Sequence, residues 1–205
     1  MTCVVHGFVD GAYLREVAIG SGYACYPNPR DLVAAAARTS LVESWAGGTL
    51  LESRVRVTRV TFYDAQPDDP VDDVRERHWN AVELLNDTHL GFGFLRGEGR
   101  RVRQKAVDTL IAVDMLVGAF TRIYDIAILV TGDADFVPVV AEVRRRGGAV
   151  MLVASSDGLS AELLRAADRY IRISSGLVIG GEAHLPSEVL LNQMDGFPLP
   201  RRSGR

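Results

Sequence analysis

The chemistry available to this sequence rests on its aspartates, above all Asp10, Asp108, Asp133 and Asp135. Asp10 follows the apolar run at residues 4–9, and Asp133 and Asp135 stand in the stretch T-G-D-A-D-F at 131–136, directly after the apolar run at 126–130. If both runs are neighbouring strands of a parallel sheet, all three carboxylates meet at the rim where such sheets bind ligands. Asp108 falls in the first turns of a helix beginning near Gln104. Asp114 comes six residues later, about 120° around an ideal helix, within an apolar run where its charge needs a hydrogen-bonding, cationic or metal partner. Clustered carboxylates raise one another's pKa unless a cation neutralises them. All-oxygen donors favour Mg2+ or Mn2+ over zinc. Each aspartate taken singly also suits a turn or helix cap, and Asp135, beside a helix start, is read equally well that way. It is their convergence that points to a metal site.

The elements that must position these groups are read from periodicity. Residues 4–9 form a buried strand followed by a helix. A loop with two prolines covers 26–30, and Asp31 is expected to cap a helix that runs to Gly47-Gly48. A strand over 55–63 meets an acidic, proline-containing loop expected to extend over the sheet's edge. An amphipathic helix covers 73–86, and glycines at 91, 93, 97 and 99 punctuate a strand-and-loop region. The helix over 104–120 carries a wide apolar surface expected to be largely buried. A strand at 126–130, a helix at 136–146, a strand at 149–154, a helix at 160–170 and a short strand near 171–173 complete the alternation. Strands with little polar alternation, separated by helices, imply an α/β fold with a parallel sheet covered on both faces. The expected organisation is one domain over residues 1–175 and an irregular or partly disordered tail over 176–205.

The 205 residues, 47% of them hydrophobic, suffice for one sizeable core. Cys3 and Cys25 are the only cysteines, too few for a disulfide framework or a structural zinc site. No secretory leader is evident and no apolar stretch approaches the roughly 20 residues of a membrane span. The expectation is a cytoplasmic protein without a membrane partner. A net charge of −3 disfavours a general nucleic-acid coat protein. Local basic runs at Arg100, Arg101, Arg103 and Lys105 and at Arg144–Arg146 remain, and either run alone is most simply a solvated face. His6 lies inside a strand and reads as a core residue; the other histidines lack metal-ligand spacing.

Taken in order, VDGAYL, FYDA, QKAVDTLIAVDML, LVTGDADFVPVV and LSAELLRAADRYIRI resemble the NYN domain family, relatives of the PIN ribonucleases that include the LabA-like proteins. The resemblance covers about residues 3–174. It implies a three-layer α/β/α sandwich with a mostly parallel, Rossmann-like sheet, and metal-dependent cleavage of RNA. Carried over by position, Asp10, Asp108, Asp133 and Asp135 resemble the acidic metal-binding group, with Asp114 in support. Thr131 matches a hydroxyl that orients the first aspartate, and Lys105 matches a lysine that contacts phosphate. Tyr13 stands where many members have asparagine, and Ala106 where many have glycine.

The resulting expectation is hydrolysis of RNA phosphodiesters with Mg2+ or Mn2+, in which Lys105 and Arg103 hold flanking phosphates and Tyr13 lies against the substrate. A non-catalytic RNA- or protein-binding module is the alternative. A phosphatase fits less well, because the Asp-x-Asp pair follows an internal strand. The identity of the RNA and homodimerisation are left open by the sequence.

Overall fold

The computed structural model describes residues 2–20, 25–26, 28–38, 55–66, 73–96, 103–174, 177–180 and 197–198. The first apolar run forms strand β1 (Cys3–Asp10), whose last six residues are all buried, followed at once by helix α1 (Gly11–Gly20). A two-residue strand β2 (Cys25–Tyr26) leads to α2 (Pro29–Ala37). Next come β3 (Val55–Gln66), α3 (Asp73–Glu83), β4 (Thr88–Arg96), β5 (Arg103–Lys105) and α4 (Val107–Thr121). The second half runs β6 (Ile126–Val130), a 3-10 turn (Ala134–Phe136), α5 (Val137–Arg145), β7 (Ala149–Ser155), α6 (Ala161–Ala166) and β8 (Arg169–Ser174). Strands β9 (Leu177–Gly180) and β10 (Phe197–Pro198) follow.

The main sheet has the order β5-β4-β3-β1-β6-β7-β8-β9. Its six central strands are parallel, and β5 and β9 close the edges antiparallel. The mostly parallel sandwich expected from the alternation is therefore present. Leu14 of α1, Leu32 of α2 and Val82 of α3 pack with Val5, Val9 and Phe62 on one face. Ile111 of α4, Val140 of α5 and Leu163 of α6 pack with Phe8, Leu129 and Leu152 on the other. Burial from both sides explains why β1 and β6 show apolar runs rather than alternation. Gly7 lets α2 approach β1 closely, since a Cβ there would lie 2.6 Å from Val33 Cγ2. His6 is buried in β1 with its ring 5.4 Å from that of Tyr124, the core position expected for it.

Several boundaries differ from expectation for identifiable reasons. Asn28, not Asp31, caps α2: its Oδ1 accepts the N–H groups of Arg30 and Asp31, and Pro29 occupies the first turn, where a missing N–H costs nothing. The helix ends at Ala37; its expected continuation to Gly47-Gly48 and the acidic loop at 67–72 lie outside the described residues. Strand β3 extends three residues past Tyr63 because Arg15 and Arg75 neutralise Asp64 within it. Gln104 and Lys105 belong to edge strand β5, and α4 starts only after Ala106, which turns the chain with φ +68°. On α4, Val113, Val117 and Phe120 are about half exposed, so its apolar surface is only partly buried. Helix α6 is one short segment capped by Ser160; beyond it Asp168 accepts Arg144 Nε and the Val150 N–H, fixing β8 beside β7. Within the tail, 177–180 add strand β9 to the sheet.

Candidate functional site

Strand order reverses at β1. From there the chain builds outward through β3 and β4 on one side, and β6, β7 and β8 fill the other. The crevice above the carboxyl ends of β1 and β6 is therefore the expected ligand position for such a sheet. A cleft of about 740 Å³ lies there, lined by Asp10, Tyr13, Thr131, Asp133, Ser155 and Ser160 among others.

Asp10 ends β1 and caps α1: its Oδ1 accepts the N–H groups of Ala12 at 3.0 Å and Tyr13 at 3.1 Å. Its second oxygen makes no hydrogen bond among the described residues. Burial pushes the Asp10 carboxyl up to about 6, and the Asp108 charge adds to that, against the two N–H bonds and the Arg15 charge. Asp108, exposed in the first turn of α4, is raised by partial burial and then by the charges of Asp133 and Asp135. Asp108 is thus linked by charge to Asp10, Asp133 and Asp135. Neither Asp108, Asp133 nor Asp135 has a salt bridge among the described residues.

The loop after β6 is shaped locally. Asp133 Oδ1 accepts the Asp135 N–H at 2.9 Å, so the cap of the 3-10 turn is Asp133, while Asp135 is left exposed in that turn. The buried Thr131 Oγ1 accepts the Asp133 N–H at 3.4 Å; it braces this loop, and no bond from it to Asp10 is seen. Gly132 lies under the Tyr13 ring, where a Cβ would come within 2.9 Å of Cε2. The Tyr13 hydroxyl accepts the Ser155 N–H at 2.8 Å, and burial lifts its pKa to about 12. Tyr13 therefore ties α1 to the end of β7 across the loop that carries Asp133.

Asp114 is engaged by a neighbouring strand. Its Oδ2 accepts the Tyr63 hydroxyl at 2.7 Å, which supplies the hydrogen-bonding partner its position in the apolar run demanded. Residues 103–105 lead in backbone from β5 to the Asp108 helix, but the side chains of Arg103 and Lys105, and Arg100 and Arg101 altogether, lie outside the described residues. The second basic run is engaged elsewhere: Arg144 pairs with Asp168, and Arg145 and Arg146 with Glu142.

Sequence reasoning gave no role to Asp64, which lies one residue past Tyr63, the strand partner of Asp10. It is fully buried and takes two bonds from Arg15, at 2.5 and 2.6 Å, one from Trp79 Nε1 at 3.0 Å and the nearby charge of Arg75 at 3.5 Å. Burial alone would raise this carboxyl, but the Arg15 hydrogen bonds and charge, then Arg75 and Trp79, hold it below the ordinary range. The signal available was an aspartate directly following the apolar V-T-F-Y of a central strand, a place where a charge survives only if paired. Asp64 is consumed by its arginines and is a scaffold for the rim.

Among the described residues, no three carboxylate, imidazole or thiol groups stand close enough together to make a ready-formed metal cage. The donors nevertheless suit a hard divalent cation. They are all oxygens, among the described residues they lack cationic partners apart from the Arg15 charge near Asp10, and such ions use one or two carboxylates while keeping several waters.

Residues 8–174 match the NYN domain. The chain belongs to the NYN domain family. That family lies within the PIN-like nuclease superfamily, is generally nuclease-like and typically uses divalent metals. No curated protein matches the chain. A solved protein of unknown function from Vibrio parahaemolyticus shares the NYN chain's fold, with a TM-score of 0.61 at 17% identity over 87% of this chain and 97% of that one. No helix among the described residues of this NYN domain is long and apolar enough to cross a membrane.

Proposed function

We propose that this NYN domain is a metal-dependent endoribonuclease that hydrolyses RNA phosphodiester bonds at Asp10, Asp108, Asp133 and Asp135, with Mg2+ or Mn2+ as cofactor. The observation that carries the reading is the cleft at the switch point of the sheet, lined by buried Asp10 at the end of β1 and by Asp133 in the loop after β6. When bound, the cation supplies Lewis acidity that lowers the pKa of an attacking water and offsets charge on the phosphate. The chain does the rest. Asp10, fixed by two helix N–H groups, presents its second oxygen. Asp133, fixed by its cap bond, does likewise, and Asp108 and Asp135 complete the rim. Tyr13 walls the cleft beside them and restricts how a nucleotide approaches. Lys105 and Arg103, three and five residues before Asp108 in sequence, are proposed to hold flanking phosphates. Asp114 is proposed only as a support for this rim, acting through Tyr63.

One observation favours a second reading, an RNA-binding module without turnover. Tyr13, where many family members carry asparagine, spends its hydroxyl on the Ser155 N–H. Incubating the purified chain with RNA oligomers, DNA oligomers and a small phosphomonoester, each with Mg2+, Mn2+ or chelator, separates these readings. Metal-dependent scission of RNA supports the nuclease; retention of RNA in chelator without scission supports the binder. Phosphate release from the small ester alone would overturn both.

A further inference from the structure

A second concave site, opposite in charge to the aspartate rim, lies at the amino end of β3, the opposite end of the strands. Arg30 of α2, Arg38 just past its end and Arg56 of β3 line a cavity of about 360 Å³, together with Asp87 and aliphatic side chains such as Ala37 and Val57. Val57 precedes Tyr63, the strand partner of Asp10, by six residues, about 20 Å of extended chain. The cavity is thus remote from the rim and independent of it.

Its charges are unequally committed. Arg30 is held by Asp87, with Nη2 3.6 Å from Oδ2, and by the Asn86 carbonyl, which accepts its Nε at 3.2 Å. The exposed guanidinium groups of Arg38 and Arg56 make no ion pair or hydrogen bond with the described residues. Among the described lining residues three cations face one carboxylate, an excess of two positive charges in a chain whose net charge is −3. A planar guanidinium fork matches phosphate oxygens in pairs. The cavity volume is at the lower end of the usual range for small-ligand sites, which suits one nucleotide or a free phosphate better than a folded partner. Its aliphatic wall offers a surface for a sugar or base.

We propose that this pocket binds a phosphate monoester of nucleoside monophosphate size, with Arg38 and Arg56 gripping the phosphate and Arg30, fixed by Asp87, completing the wall. Calorimetric titration of the full chain in chelator, with adenosine 5′-monophosphate, adenosine and inorganic phosphate as probes, tests it. Adenosine, lacking the dianion, is expected to bind at least about tenfold more weakly than the monophosphate. The double substitution Arg38→Gln/Arg56→Gln is expected to weaken monophosphate binding about tenfold or more, while the thermal unfolding temperature stays unchanged. Asp10→Asn leaves the binding intact. Inorganic phosphate as tight as the monophosphate supports the site and identifies free phosphate as its occupant; a tighter monophosphate identifies the nucleotide. Absence of binding at millimolar probe overturns the proposal. So do equal affinities for adenosine and its monophosphate, an affinity indifferent to the arginine substitutions, or its loss in Asp10→Asn.

Discussion

Replacing Asp10 with asparagine should stabilise the protein at neutral pH while abolishing the proposed cleavage. Asp10 caps α1 through one oxygen, which accepts the Ala12 and Tyr13 N–H groups. The amide oxygen of asparagine can accept the same pair, and asparagine caps helices as well as aspartate does. What disappears is a buried charge. The folded carboxyl titrates at about 6 against an ordinary 3.8, so ionising it in place at neutral pH costs about 3 kcal/mol. A raised folded pKa leaves full stability below 3.8 and loses it as the pH climbs through about 6. The advantage of Asp10→Asn is therefore small at about pH 4, roughly half developed at about pH 5 and complete at about pH 7.5. Allowing for imperfect replacement, the gain at the higher pH is about 1–3 kcal/mol, or several degrees in Tm for a chain of this size. Urea denaturation in chelator at the lowest and highest of these pH values measures it. Adding Mn2+ should then stabilise the wild type and leave the variant unmoved. An Asp10→Asn protein at least about 1 kcal/mol less stable than wild type at the higher pH would show that the carboxylate serves the fold, and would refute the reasoning.

Asp64→Asn strips a buried bidentate partner from Arg15 and should cost about 3–5 kcal/mol in chemical denaturation. Because Asp64 is held below the ordinary carboxylate range, its contribution is present above 3.8 and is lost as the pH falls below it, the reverse of Asp10; a loss in Asp64→Asn that did not shrink in acid would contradict this. Ala106→Gly relieves a left-handed alanine at φ +68° and should add about 1 kcal/mol, read as a rise in Tm of about 2–4 °C. Gly132→Ala would set a Cβ 2.9 Å from the Tyr13 ring and 3.2 Å from the Gly158 carbonyl. Displacing the Asp133 turn in this way should lower kcat for RNA about 10- to 100-fold, with circular dichroism confirming that the fold persists.

The legible parts of the fold were those where one local pattern met no competing contact. The continuous apolar run of β6 and the T-G-D-A-D-F stretch after it fix a buried strand and its rim together. Asp10, at the end of another such run, could be placed against them once a parallel sheet was inferred. Asp64 was not legible, because the residues that follow it read as a loop and its neutralising arginines lie in other elements, on α1 and α3. Strand β5 was hidden because Gln104 and Lys105 continue the helical pattern of α4 in sequence, and only the turn at Ala106 separates them. The cap of α2 was misread for a similar reason: two prolines looked like a loop, whereas Pro29 opens the helix that Asn28 caps. The half-exposed Val113, Val117 and Phe120 show the limit of periodicity, which marks an apolar surface without saying how wide the covering sheet is.

The central claim, a divalent cation held by the coupled aspartates for RNA scission, is tested most directly by one measurement. The rate of cleavage of an end-labelled RNA oligomer is followed against Mn2+ concentration for wild type, Asp10→Asn and Asp108→Asn, each purified identically. The account predicts saturable, chelator-sensitive cleavage by wild type and a loss of about a hundredfold or more in both variants. Equal rates in all three proteins, or cleavage that persists in chelator, would contradict it.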